Sequence, residues 1–166
     1  PLFFNQFLFG AEFVHALTRE EMTDIQNYNI EIKDVRLCQS GLPTIFKDLN
    51  NKGNTTTKNN DKLIIGFLGS VYTKIKGIDL LLEAITEFQK RDDYTPIKFS
   101  FVGPIHKRKD KMIIERYLKN MKYPDMIELV GAKYGKEKWQ ELQSFDALIL
   151  TSRTEGMPIV ILEGLA

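Results

Sequence analysis

Cysteine occurs once in 166 residues, at Cys38, which excludes a disulfide within the chain and a metal site built on several cysteines. A lone thiol of this kind is expected to serve as a small apolar residue in a buried strand. Histidine is almost as scarce. His15 and His106 stand apart, without the spacing of a ligand pair, and are expected to be structural or exposed. No Asp-x-Asp occurs. No apolar run reaches the ~18 residues of a membrane-spanning helix. Neither sign of charge dominates: 23 Lys and Arg against 22 Asp and Glu leave a net charge of +1, so bulk electrostatics gives no case for nucleic acid. The opening stretch, residues 1–10, is rich in phenylalanine but lacks a basic flank and does not read as a signal peptide. It reads as a buried helix end stopped by Gly10, with a loose amphipathic membrane contact as the other possibility.

What is present has the composition of an ordinary globular domain, 43% hydrophobic and 27% charged. Residues 12–17 form a short apolar strand candidate. Thr18 and Glu21 then match a capping box, which predicts a helix to about Asn29. Val35 to Cys38 reads as a second strand, ended by Gly41 and Pro43. Residues 50–61 contain no apolar residue and read as a linker or surface loop. Beyond it, apolar strands at 63–69, 97–102, 126–130 and 147–150 alternate with helices at 78–90, 107–121 and 136–144. That alternation predicts βαβ units and a parallel sheet, covered by helices on both faces. In such sheets ligands bind beyond the carboxyl ends of the strands. Gly69-Ser70, Gly103-Pro104, Gly131-Ala132 and the turn at 152–155 all fall there. Trp139 is expected in core or rim packing. Lys107, Arg108, Lys109 and Lys111 read as a solvated helix face, with attraction to anionic lipid or a charged acceptor as the sharper alternative.

The stretch Glu155-Gly156-Met157-Pro158-Ile159-Val160-Ile161-Leu162-Glu163 concentrates the chemistry. Pro158 fits the first position of a helix, where its missing N–H costs nothing. The turn before it then offers backbone donors and a partial positive charge to an anion. Glu155 stands just before that point and Glu163 just beyond the first turn. Carboxylates accept hydrogen bonds from hydroxyls and repel phosphate. A molecule with hydroxyls, then phosphate, then hydroxyls again suits the pattern: a nucleotide-sugar. The apolar helix from Ile159 to Ala166 is still running where the sequence stops, which is expected of a fragment of a longer protein.

Preceded by Leu150-Thr151-Ser152-Arg153, this stretch resembles the E-x7-E signature of retaining glycosyltransferases of family 4, which have the GT-B fold. Phe67-Leu68-Gly69, followed by Lys76-Gly77-Ile78-Asp79-Leu80-Leu81-Leu82-Glu83-Ala84, resembles that family's first strand, phosphate-binding lysine and next helix. Phe101-Val102-Gly103 and Leu129-Val130-Gly131 resemble its following strand ends. Two glutamates at a fixed spacing are weak by themselves. The Gly-x-Pro after the first, the Ser-Arg upstream and the separate Lys-Gly helix start make the match specific.

The resemblance implies a Rossmann-like α/β fold and three segments. Residues 1–45 would end an N-terminal acceptor domain, 46–62 would be a polar linker, and 63–166 would be the nucleotide-sugar-binding domain, incomplete at its C-terminus. It also implies roles. Lys76 would neutralise the donor diphosphate as the glycosidic bond breaks. Glu155 would bind donor sugar hydroxyls and help stabilise positive charge on the anomeric carbon. Those two would be the catalytic residues. Gly156, Met157, Pro158 and Ile159 would present backbone donors to sugar and phosphate, Glu163 would accept from the ribose, and Gly131 would lie near the base. Arg153 would either pair with a phosphate or brace its loop. Family members commonly carry a basic residue where Ser70 stands here; Ser70 would still reach a phosphate, and Lys74 would supply the missing charge.

No cofactor and no metal are implied, only a UDP- or GDP-sugar as substrate. The expected partners are that donor, a glycan or lipid-linked acceptor and a peripheral contact with the inner membrane of a cytoplasmic enzyme, without nucleic acid. Richness in Lys, Ile and Asn points to an AT-rich, bacterial source and to capsule or lipopolysaccharide synthesis. Two other readings stay open: a nucleotide-sugar epimerase of the same fold and a non-catalytic nucleotide-binding module.

Overall fold

A computed structural model describes residues 11–27, 32, 34–39, 41, 62–91 and 96–165. The opening stretch 1–10, the linker at 50–61 and the expected helix end at 28–29 lie outside the described residues. The chain divides into two compact units, one formed by Pro1–Lys52 with Glu155–Ala166 and the other by Gly53–Thr154.

In the first unit, β1 (Val14–Ala16) and β2 (Val35–Leu37) form a two-stranded parallel sheet, with Val14 opposite Val35 and Ala16 opposite Leu37. Both strands are shorter than their sequence pattern suggested. Helix α1 (Arg19–Asn27) follows β1. Its capping box forms with one variation. Glu21 N–H donates to Thr18 Oγ1 at 3.1 Å, while the Glu21 carboxylate accepts from Leu17 N–H at 2.7 Å rather than from the N–H of Thr18. Cys38 corrects an expectation: it is exposed, just past the end of β2. In a two-stranded sheet the strand ends have no neighbour to cover them; Arg36 and Leu37 are exposed as well. The Arg36 guanidinium lies 4.4 Å from the Phe13 ring centre, covering an aromatic that the short strand leaves at the surface.

The second unit carries the larger sheet, in the order β5-β4-β3-β6 and parallel throughout. The strands are β3 (Leu63–Leu68), β4 (Ile97–Val102), β5 (Ile127–Gly131) and β6 (Ala147–Leu148). Between them lie α2 (Ile78–Phe88), α3 (Arg108–Asn120) and α4 (Gly135–Ser144). The alternation read from the sequence is therefore the architecture, a Rossmann-like α/β arrangement. Right-handed crossovers fix the layering. The chain steps from β3 to β4 to β5 in one direction, which places α2 and α3 on one face; the two helices touch. It then returns to the opposite side of β3 for β6, which places α4 on the other face.

The core follows from the pattern. Phe67, Phe101 and Phe99 from the strands pack with Ile78, Leu81, Leu82 and Ile85 of α2 and Ile114 of α3. Each such side chain contributes roughly 1.5–3 kcal/mol by leaving water. Buried Gln89 stitches the ends of the two helices: its amide nitrogen donates to Tyr123 O at 2.9 Å, and its oxygen accepts from the N–H groups of Lys122 and Tyr123. Gly66 is fixed by space, because a Cβ there would enter the Phe145 ring. Most element boundaries differ from the sequence reading by one or two residues. Met126 lies in a 3-10 turn (Pro124–Met126), where proline at the turn's start sets φ, so β5 begins one residue later. The β6 ladder is shorter than expected, pairing Ala147 and Leu148 with Ile65 and Gly66 of β3, and Ile149 N–H donates to Gly66 O at 2.9 Å just beyond it.

Candidate functional site

In the second unit the sheet order makes β3 a switch point: the chain leaves it toward β4 and comes back beside it as β6. Open α/β sheets bind ligands in the crevice at the carboxyl ends of such strands. Two loops meet there, residues 69–77 after β3 and 149–154 after β6. Thr151 Oγ1 donates to Lys76 O at 3.0 Å, and Arg153 N–H donates to Ile75 O at 2.9 Å. Gly77, the residue before α2, has φ +63°, and a Cβ on it would collide with the Thr151 carbonyl. Glycine is thus required twice over, by backbone conformation and by close approach.

Lys76 and Lys74 come to this crevice with different surroundings. Lys76 stands just before Gly77, half-buried, at the start of α2. Lys74 is engaged with a partner: its Nζ lies 2.8 Å from Asp79. Arg153 grips the same carboxylate with both terminal nitrogens, at 2.6 and 3.2 Å, and also donates to Lys74 O at 2.9 Å. Arg153 therefore braces the loop, and Asp79 offsets two of the three cations that the sequence placed here. Burial pushes the Asp79 carboxyl up, but hydrogen bonds and charge from Arg153 and Lys74 outweigh it and hold the pKa at about 2. Ser70 lies half-buried at the head of the loop.

Beside the crevice, a cleft of about 420 Å³ opens over the ends of β4 and β5. Val71, Pro104, Ile105, Leu129 and Gly131 line it, with Lys111 as its one charged group. Gly131 thus borders a largely apolar recess. Tyr72 forms one shoulder of the loop, stacked on His106 at 5.7 Å with Lys107 Nζ 5.4 Å from its ring centre. Lys107, Arg108, Lys109 and Lys111 are exposed, and Trp139 is buried in the packing.

Glu155, Gly156, Met157, Pro158, Ile159 and Glu163 belong to the first unit. Helix α5 (Ile159–Leu165) starts one residue later than expected; Pro158 precedes it, and its carbonyl accepts from Ile161 N–H at 3.0 Å. The burial along this helix is inverted. Glu163 is 5% exposed, whereas Ile159, Ile161 and Leu165 are all exposed, Leu165 to 81%. A carboxylate kept from water is costly unless it is paired or hydrogen-bonded, and Glu163 makes interactions of that kind. Gly156 is exposed, with only Leu17 near the position of a Cβ.

Sequence reading missed Asp79, Thr73, Asp110 and Thr151. Asp79 was in view inside the Lys-Gly helix start, but its partner Arg153 lies 74 residues on. No local spacing signals that pairing. Among the described residues no group of three or more His, Cys, Asp or Glu is placed to hold a metal ion, and no helix is long and apolar enough to cross a membrane.

Comparison with known proteins bears on this geometry. No characterised protein matches the chain by sequence. Solved structures share its fold: Anabaena HepE, crystallised with UDP and glucose, matches with a TM-score of 0.70 at 14% identity over 99% of this chain and 44% of its own. The sucrose-phosphate synthase of Thermosynechococcus elongatus matches with a TM-score of 0.68 at 16% identity, over 99% of this chain and 41% of its own. WaaG, a glycosyltransferase involved in lipopolysaccharide biosynthesis, matches with a TM-score of 0.63 at 17% identity, over 91% and 41%. The chain thus spans about two-fifths of the length of these structures. The family profile described as Glycosyl transferases group 1 matches residues 62–166, more than half of the sequence, and the chain belongs to that family.

Proposed function

We propose that this chain supplies the donor side of a retaining, family-4 glycosyltransferase. In the full-length protein it would move a hexose from a UDP- or GDP-sugar to a glycan or lipid-linked acceptor. The observation that carries the reading is Lys76, presented at the switch point of the sheet by a loop clasped through Thr151 and Arg153, within the segment that matches the family. UDP and glucose in the HepE crystal support a nucleotide-sugar as the ligand.

In this reading Lys76 and the start of α2 stabilise the diphosphate as it gains charge, without a metal. Lys76 carries that work, and Ser70 adds a hydrogen bond. Lys74 and Arg153 lie at the edge of the donor site and keep its loop in shape. Gly131 and the recess beside it receive the base. Glu155 binds sugar hydroxyls and faces the anomeric carbon, backbone donors at 156–159 meet sugar and phosphate, and the inward carboxylate of Glu163 accepts from the ribose. Residues 1–45 belong to the acceptor domain, 46–62 to a linker and 63–166 to the donor domain. WaaG's involvement in lipopolysaccharide biosynthesis supports a place in surface polysaccharide synthesis, capsule or lipopolysaccharide, in a bacterial cytoplasm, with peripheral contact at the inner membrane.

The test is direct. Full-length protein is incubated with UDP-glucose or GDP-mannose, with and without a membrane lipid extract. Sugar transferred to lipid with unchanged anomeric configuration is the expected result. Change of the sugar without acceptor would instead identify an epimerase, nucleotide binding without transfer a non-catalytic nucleotide-binding module, and no binding of any nucleotide a scaffold.

A further inference from the structure

Asp110 is a buried carboxylate that the scheme above leaves unused. It sits in the first turn of α3 and is 6% exposed. One of its oxygens accepts twice from Thr73, from the backbone N–H at 3.1 Å and from the hydroxyl at 2.5 Å. Its other oxygen is buried with no hydrogen-bond partner among the described residues. A neutral acceptor would satisfy Thr73 without burying a half-used carboxylate. What the carboxylate adds is stiffness, because charge-assisted bonds are the shorter and stronger kind.

The place where it acts gives that stiffness a purpose. Thr73 is itself 2% exposed and lies three residues before Lys76. Its carbonyl accepts from Asp79 N–H, and the next bond along the loop runs from Lys76 N–H to Tyr72 O at 2.9 Å. Val71 N–H donates to Pro104 O at 2.9 Å, so the loop is tied both to the β4–α3 connection and, through Asp110, to the first turn of α3. Thr151 and Arg153 hold its far end. Asp110 is the buried anchor at the near end.

We propose that Asp110 is a positioning residue: it fixes Thr73, and through Thr73 the loop that presents Lys76 to the donor diphosphate. The proposal rests on the donor reading given above. Asp110 touches no substrate; it acts through the loop.

The experiment uses full-length protein and two readouts, amide hydrogen exchange over residues 70–77 and UDP affinity by calorimetry. Asp110→Ala is expected to raise exchange in that loop while leaving β3 and β4 protected, and to weaken UDP binding about tenfold, the size of one charge-assisted hydrogen bond. Asp110→Asn keeps a neutral acceptor for Thr73 without the charge and is expected to restore only part of the affinity. Thr73→Val, which removes the hydroxyl at constant volume, gives a smaller effect and serves if Asp110→Ala does not fold. Unchanged exchange in Asp110→Ala, or raised exchange with unchanged UDP affinity, would overturn the proposal. Failure of the unsubstituted protein to bind UDP would overturn the donor reading and with it the link to donor, while the exchange data would still show whether Asp110 orders the loop.

Discussion

Helices α2 and α5 are both apolar in sequence, and they are buried in opposite senses. In α2, Ile78, Leu81, Leu82 and Ile85 are inward and Glu83 and Glu87 outward. In α5, Glu163 is inward while Ile159, Ile161 and Leu165 are exposed. The first arrangement is what the hydrophobic effect alone produces. The second opposes it, and Glu163 is held there by interactions of its own. The contrast sets stability beside the proposed function: α2 holds the sheet, and α5 carries the glutamate proposed to meet the donor.

The sharpest way to break this contrast is by truncation in each helix. Leu82→Ala opens a cavity under the sheet and is expected to cost 2–5 kcal/mol, on the order seen for buried leucines, by urea denaturation. Ile161→Ala removes an exposed side chain and is expected to cost less than about 1 kcal/mol. Equal costs would mean that α5 is a core helix after all. Next in size is Lys76→Ala, at the start of α2. It is expected to slow transfer about 10²–10³-fold while the denaturation midpoint stays near that of the parent. A loss of stability with retained transfer would make Lys76 structural.

Arg153→Lys probes the brace between the two loops. Lysine cannot reproduce the two-pronged grip on Asp79. A loss of about 1 kcal/mol in thermal stability is expected, modest because Arg153 is partly exposed. The smallest effect is in acid. The Asp79 carboxyl is depressed in the folded protein to about 2. Its contribution is therefore complete above the ordinary aspartate range and is lost as the pH falls from there through about 2. Stability measured between pH 5 and pH 2 should fall less steeply in Asp79→Asn than in the parent; identical slopes would remove Asp79 from the account.

Much of the fold was legible because its strands are apolar runs and its helices carry 3.6-residue periodicity. Some expectations moved with the sheet: β6 pairs with β3 over two residues only, and Cys38 is exposed past the end of β2, which pairs with β1 alone among the described residues. Lys76 and the glycines at the strand ends could be read from local motifs. The Asp79–Arg153 brace and the Thr73–Asp110 anchor could not, since each joins residues far apart in sequence that only the sheet order brings together. The charge available to a phosphate was misread for the same reason. Counting lysines and arginines near the motif gives three cations, and the carboxylate that engages two of them is visible only in three dimensions.

The proposed function has Lys76 on the β3 loop and Glu163 on α5 each contribute to binding a nucleotide-sugar. Calorimetric titration of UDP into full-length protein tests it most directly, with Lys76→Ala and Glu163→Gln alongside. The account predicts saturable binding by the parent, loss in Lys76→Ala and about tenfold weakening in Glu163→Gln, all three proteins having the same far-ultraviolet circular dichroism. No binding by the parent, or binding that neither substitution alters, would contradict it.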